Sequence, residues 1–445
     1  MKKLANTKLK ELNNLAIPLI AQSISGLLIG LADECMVGRI SISAYSSVGI
    51  IGSLLSFLAG LLGFTSVSFN ILGSKAKGKK DNNNLKDEFV SSLLLNLLIG
   101  IFFFIIIFVL KKQLLILIYG FQGETLYEGI KYLNSMSFYI LIQLCIFTFS
   151  ALLKIEKKTK WIFICSTGTA VLDVILNYIF IFGNLGMPKL GVQGAGLSTV
   201  FSISINLLIY MYICRNYFSF TYEKIKLYKK KIMIHIKESL PLMGQEALEG
   251  SIFIIAINAI VSRIGVNELS SYLIIVQLVN IALMPMYMYG SSALTLISEN
   301  YGAKDEEALC VIPKLGVIMS LIIYSFISIF FIIFRTEVPK LITENKEIIF
   351  LSSNLLIFFI MANLVHPVCT IYRYSLQAIG ESKFVLLNNA KINVVSLIIM
   401  LIFIYGINLG VYGVFIALFI NYTGLFYIYS KKWNKVLSKK VQVSL

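Results

Sequence analysis

The stretch IPLIAQSISGLLIGLADECMVGRI, residues 17–40, decides how the whole chain is read. It is apolar and long enough to cross a bilayer, yet it carries a carboxylate, Asp33, far inside. Gln22, Gly26, Gly30 and Asp33 follow at spacings of four, four and three, so they share one helix face. Ile20, Leu27, Leu28 and Leu31 fill the other faces. Counted from Leu15 at about 1.5 Å per residue, Asp33 lies about 27 Å along an apolar core roughly 30 Å thick. An ionisable side chain on a small, polar stripe within a membrane marks a functional site by default. The competing reading is that Asp33 only caps the outer end of the span and reaches interfacial water.

Outward from residues 17–40 the chain keeps this character. Its 445 residues are 57% hydrophobic and 14% charged, with a mean hydropathy of +0.82. A soluble chain carries about 25% charged residues, so this is an integral membrane protein. Runs such as FFFIIIFVL (102–110) and LIIYSFISIFFIIF (321–334) are continuous rather than alternating, which excludes an outer-membrane barrel and leaves an all-α integral membrane fold. Windowed hydrophobicity predicts about twelve transmembrane helices, at 15–38, 44–72, 88–110, 127–153, 160–183, 191–214, 238–261, 268–299, 312–334, 347–379, 384–405 and 410–430. The basic residues before the first span resemble a signal-peptide start. The apolar stretch that follows is too long for a cleavable segment and no A-x-A-like site ends it, so it is read as a retained span.

The net charge of +16 is sorted by loop. The loops on the N-terminal side hold 28 Lys and Arg and the opposite loops hold 9, with Arg373 and Lys391 in or near spans. The positive-inside rule then predicts a multi-pass protein of the cytoplasmic (inner) membrane with both termini cytoplasmic. The charge needs no nucleic acid as partner; the expected partners are the lipid bilayer and small organic substrates, and the protein is expected to work as a monomer. Six scattered Cys without a C-x-x-C, and two distant His, give neither a disulfide framework nor a metal site. No nucleotide motif or nucleophile constellation points to an enzyme, and no cofactor is expected beyond a coupling ion.

The two halves repeat one another. Pro18-Leu19-x-x-Gln22 returns as Pro241-Leu242-x-x-Gln245, and Arg39-Ile40 as Arg263-Ile264. Thr159-Lys160-Trp161 matches Ser382-Lys383-Phe384, and Leu190-Gly191-Val192-x-Gly194 matches Leu409-Gly410-Val411-x-Gly413. Gly73-Ser-Lys pairs with Gly302-Ala-Lys at an offset of 229, where the other pairs differ by 219 to 224. Six spans per half is even, so the repeats are parallel, the arrangement of a transporter built from two lobes. The predicted domains are an N-lobe at 1–214, a basic cytoplasmic linker at 215–237 and a C-lobe at 238–445. The linker, RNYFSFTYEKIKLYKKKIMIHIK, reads as an anchor to anionic inner-leaflet lipid.

With these features in place the sequence resembles the MATE (multidrug and toxic compound extrusion) transporters over nearly its whole length. The resemblance rests on Pro18, the Asp33-x-x-x-Val37-Gly38-Arg39 run, the segment DVILNYIFIFGNLGMPKLGVQGAGLSTV (173–200), Pro241 with Glu249, the Gly-x-Lys signals and IGESK at 379–383. It implies two six-helix lobes forming a V-shaped cavity, and export of cationic or amphipathic organic compounds against inward H+ or Na+. A lipid-linked oligosaccharide flippase of the same general fold is the alternative. That reading favours a cationic groove for pyrophosphate, and few Arg lie in the spans here.

The candidate ion ligands converge in depth. Asp173 lies about 18 Å into the fifth span, Asn177 follows one turn later on the same face, and Thr199 lies roughly 12 Å into the returning sixth span. With Asp33 they offer carboxylate, amide and hydroxyl oxygens of the kind hard cations prefer. A desolvated carboxylate also favours its neutral form, so the same residues suit a proton. In MATE branches with an N-lobe ion site the first-span acid joins an Asn and an Asp one turn apart in the fifth span and a Thr in the sixth; here the Asp173–Asn177 order is reversed relative to one such branch. The bland reading of Asp173 and Asn177 is a hydrogen-bonded pair gluing helices together. Glu249, Gln245, Gln22 and Gln277 are the candidates for substrate contact or coupling. The tenth-span carboxylate that accompanies the seventh-span Glu in another branch has no match in HPVCTIYRYS (366–375), and Arg373 there either neutralises a carboxylate or, the commoner fate, snorkels at the cytoplasmic end.

Overall fold

The structure is a computed structural model that describes residues 2–443. Every regular element among the described residues is helical. Among the described residues twelve segments, two of them bent helix pairs, are long and apolar enough to cross a membrane. The first six are α1 (Lys2–Gly38), α2 (Ile42–Gly78), α3 (Asn82–Tyr119), α4 (Gly123–Met136 with Tyr139–Ile155), α5 (Thr159–Phe182) and α6 (Val192–Ile213). The second six are α7 (Tyr222–Ser262), α8 (Val266–Ala303), α9 (Glu306–Ile333), α10 (Lys346–Ala362 with His366–Ile379), α11 (Ser382–Gly406) and α12 (Val411–Ser438). α4 and α10, which hold the same place in the two halves, are both broken and both bend by 40°. Large apolar side chains such as Leu117 (83% exposed) and Phe326 (76%) cover the outside, which suits contact with lipid and not with water.

The repeat is visible in the backbone. Gly191 and Gly410 enter α6 and α12 with φ of +56° and +55°, a region that favours glycine. Three residues on, a Cβ at Gly194 would stand 2.6 Å from the Phe180 carbonyl oxygen, and one at Gly413 would stand 2.9 Å from Phe403. Only glycine lets the fifth and sixth helices of each half come so close. Arg39 and Ile40 donate to Met36 and Val37 at the end of α1, and Arg263 and Ile264 donate to Ile260 and Val261 at the end of α7.

Two offsets in the sequence repeat acquire a physical cause. The offset of 229 between the Gly-x-Lys signals is a misregistration. The structural equivalents are Lys80-Asp81 and Lys304-Asp305, 224 apart, each a left-handed Lys with φ of +59° followed by an Asp that caps the next helix. The step from 223 at Pro241 to 224 at Arg263 is a π-helical turn, Leu248–Phe253, in α7, which adds one residue without breaking the helix.

The chain forms two compact units: Ile17–Ser239, and the residues up to Ala16 together with those from Leu240 onward. α1 starts thirteen residues before the predicted span. Its first turns belong to the second unit, where Lys8 donates to Asn300 and Tyr289 donates to Asn13. The basic stretch before α7's apolar part belongs to the first unit. There Lys231 Nζ donates to Glu88 at 2.5 Å, Lys224 pairs with Asp87 at 2.9 Å and buried His235 lies between Ser68 and Glu88, 3.0 Å from each. The linker 215–237, read from sequence as a lipid anchor, is thus tied to protein carboxylates through Lys224, Lys231 and His235. The core of the second unit gathers Phe253, Ile257, Val279, Leu356, Met400 and Leu418.

Candidate functional site

In the first unit Asp33 comes from α1, Asp173 and Asn177 from α5, and Ser198 and Thr199 from α6. The approach of α6 to α5 depends on Gly194, as described above. Gly196 does the same toward α4, since a Cβ there would lie 2.7 Å from Ser135 Cβ. Small residues on α6 therefore let it approach both α4 and α5 closely.

Asn177 is the hinge of the network. Its Nδ2 donates to Asp33 Oδ1 at 2.9 Å, and its Oδ1 accepts from Ser198 Oγ at 2.5 Å. Thr199 Oγ1 donates to Asp173 Oδ2 at 3.3 Å, while Asp173 Oδ1 is buried with no hydrogen-bond partner. Asp173 and Asn177 do not bond each other; each reaches a different helix. Asp33 lies five residues before the end of α1 and turns toward α5. Its carboxylate borders a cavity of about 350 Å3, with Asn177, Thr199 and Tyr132 on the far walls. Among the described residues no Lys, Arg or His pairs with Asp33 or Asp173. With neither acid paired to a basic side chain, an added positive charge is what relieves them. Ser198 was not singled out in the sequence. The signal that locates it is its place beside Thr199 on the Gly-Ala-Gly approach of α6.

The second unit holds a different acid. Glu249 sits on the π-helical turn of α7, and three donors converge on its Oε2. They are Arg373 Nη1 at 2.5 Å, Gln245 Nε2 at 3.3 Å and Asn389 Nδ2 at 3.3 Å. An amide chain continues from it. Gln377 donates to Gln245, Asn393 to Asn389, and Asn421 to Asn393, at 2.7 to 2.9 Å. Arg373 is buried and paired, which corrects the snorkelling reading: its partner lies 124 residues away, beyond the view of a linear reading. Glu249 and Gln245 thus come together, whereas Gln277 is exposed on α8 and Gln22 is half-buried on α1 three turns before Asp33, both outside these networks.

The MatE family model matches residues 18–179 and again 241–406. The probable multidrug resistance protein NorM of Thermotoga maritima is 24% identical over 355 residues, covering 77% of this chain and 74% of its own. The multidrug resistance protein NorM of Vibrio cholerae is 20% identical over 361 residues, covering 78% of each. Among solved structures, the Vibrio cholerae MATE transporter VcmN in its bent form superposes with a TM-score of 0.87 at 16% identity, over 98% of this chain and 99% of that one.

Proposed function

The chain belongs to the MatE family of multi-pass membrane transporters, and from that premise we propose that it exports cationic or amphipathic organic compounds against inward H+ or Na+. The multidrug resistance named for its relatives supports the export. The observation that carries the coupling is the pair Asp33, which borders the cavity, and Asp173, which accepts from the cavity-lining Thr199, with no basic side chain among the described residues paired to either. An inward proton or Na+ taken up there supplies the missing positive charge. Asn177, Ser198 and Thr199 hold the two acids at a fixed separation. A proton is accepted with Asn177 as it stands, donating to Asp33. Na+ requires the amide to turn and present its oxygen, since a hard cation wants oxygen ligands. Each charge moved inward releases about 2.3 kcal/mol per 100 mV, before any chemical gradient.

Glu249, neutralised by Arg373, is assigned to the substrate path and not to the coupling ion. The protein works in the cell membrane as a monomer with both termini in the cytoplasm. The test is dye export by the purified protein in liposomes, driven separately by a pH gradient and a Na+ gradient, with Asp33→Asn alongside. Export under one gradient and its loss in the variant name the ion. Absence of export under both gradients, across several dyes, favours the flippase alternative and a lipid-linked substrate.

A further inference from the structure

Glu34, the residue after Asp33 on α1, has no part in the network above, yet it borders two adjoining cavities of the first unit. The inner one is the cavity of about 350 Å3 against Asp33. The outer one, about 580 Å3, is walled by Tyr45 and Ser46 at the start of α2 and by Tyr119 at the end of α3. The two share Glu34, Val37, Val48, Gly49 and Ser53 as walls. Adjacent helix residues do not face each other, so Glu34 extends toward the outer space while Asp33 faces α5. Oxygen-bearing side chains line the way inward: Tyr45, Ser46, Glu34, Ser53, Ser56 and Asp33.

We infer that the outer cavity is the antechamber of the coupling cation and that Glu34 is the positioning residue that gathers the cation and passes it to Asp33. This rests on the coupling assigned to Asp33. A lone carboxylate at the mouth of a low-dielectric cleft raises the local concentration of cations and their arrival rate. Hydroxyl and carboxylate oxygens at short intervals suit both a hard cation and a file of water carrying a proton. Gly49 is where the route can be closed. It walls both cavities, and a Cβ added there meets nothing within 4 Å, so a larger side chain enters open space without disturbing backbone.

The experiment is ion-driven dye export by the full chain in liposomes, with H+ and Na+ as the probes and rate measured against external ion concentration. Glu34→Gln is expected to raise the half-saturating ion concentration about tenfold, a defect overcome at saturating ion. Gly49→Phe is expected to cut ion-driven export at least tenfold, while dye binding, read by fluorescence anisotropy, stays within twofold and the purified protein stays monodisperse. Wild-type ion dependence in both variants overturns the antechamber. A Gly49→Phe protein that loses its fold leaves the decision with Glu34→Gln, where an unchanged half-saturating concentration overturns it. Full ion-driven export in Asp33→Asn, by contrast, overturns the coupling reading, and the antechamber falls with it.

Discussion

The two repeats share helices far more closely than they share chemistry. With the offset proper to each helix, Asp33 falls on Ile257, Asp173 on Ser396, Asn177 on Met400 and Thr199 on Leu418. Ile257, Met400 and Leu418 are core residues of the second unit, and Ser396 donates to the Ala417 carbonyl. Three of the four positions that build a polar site in one half are apolar core in the other. Glu249 in turn falls on Gly26, and Arg373 on Ser150. The glycines that set helix approach recur, as do the capping residues and the broken fourth helix. The acids do not recur. Backbone geometry is fixed by steric needs that both halves must meet, whereas a buried charge is kept only where it does something.

The largest expected effect comes from forcing the two halves to agree. Ile257→Asp places a carboxylate in a packed apolar core with no partner, at a cost of several kcal/mol. We expect little monodisperse protein on size exclusion, whereas Asp33→Asn folds and loses ion-driven export. Next is Arg373→Met, which leaves Glu249 without its counter-charge. We expect a loss of about 3–5 kcal/mol in thermal or denaturant unfolding, and recovery of more than half of it when Glu249→Gln is added. A smaller effect tests the shared geometry. Gly194→Ala and Gly413→Ala should each cost about 1–3 kcal/mol through overpacking, but only Gly194→Ala should also slow export, because it separates α5 from α6 at the ion site. Smallest is Ser198→Ala, which removes one donor to Asn177, about 1 kcal/mol. It should weaken the apparent affinity for the coupling ion several-fold and lower the unfolding free energy by only about that amount.

Most of the fold was legible because long apolar runs and loop charge are linear signals. The twelve segments fall where the hydrophobic windows place them. The start of α1 was not legible, since KKLANTKLKELNN reads as a polar tail and its partners Tyr289 and Asn300 lie in the other half of the chain. The 229 offset arose from matching residue types where the conserved feature is a left-handed turn before a capping Asp. In the site, helical rise was enough to bring Asp33, Asp173, Asn177 and Thr199 to one depth. It could not reveal that Asn177 bridges α1 to Ser198, or that Arg373 closes on Glu249, because both depend on which faces meet.

The allotment of α1's first turns to the second unit also bears on how the protein is made. Asn13 and its partner Tyr289 are 276 residues apart in the chain. At about 5–20 residues per second, Asn13 is synthesised roughly 14 to 55 seconds before Tyr289 exists. For that interval the first turns of α1 lack the partners they meet in the second unit. The ribosome therefore finishes the first unit while the second still waits for most of its helices, although the first turns of α1, made before that unit, belong to the second.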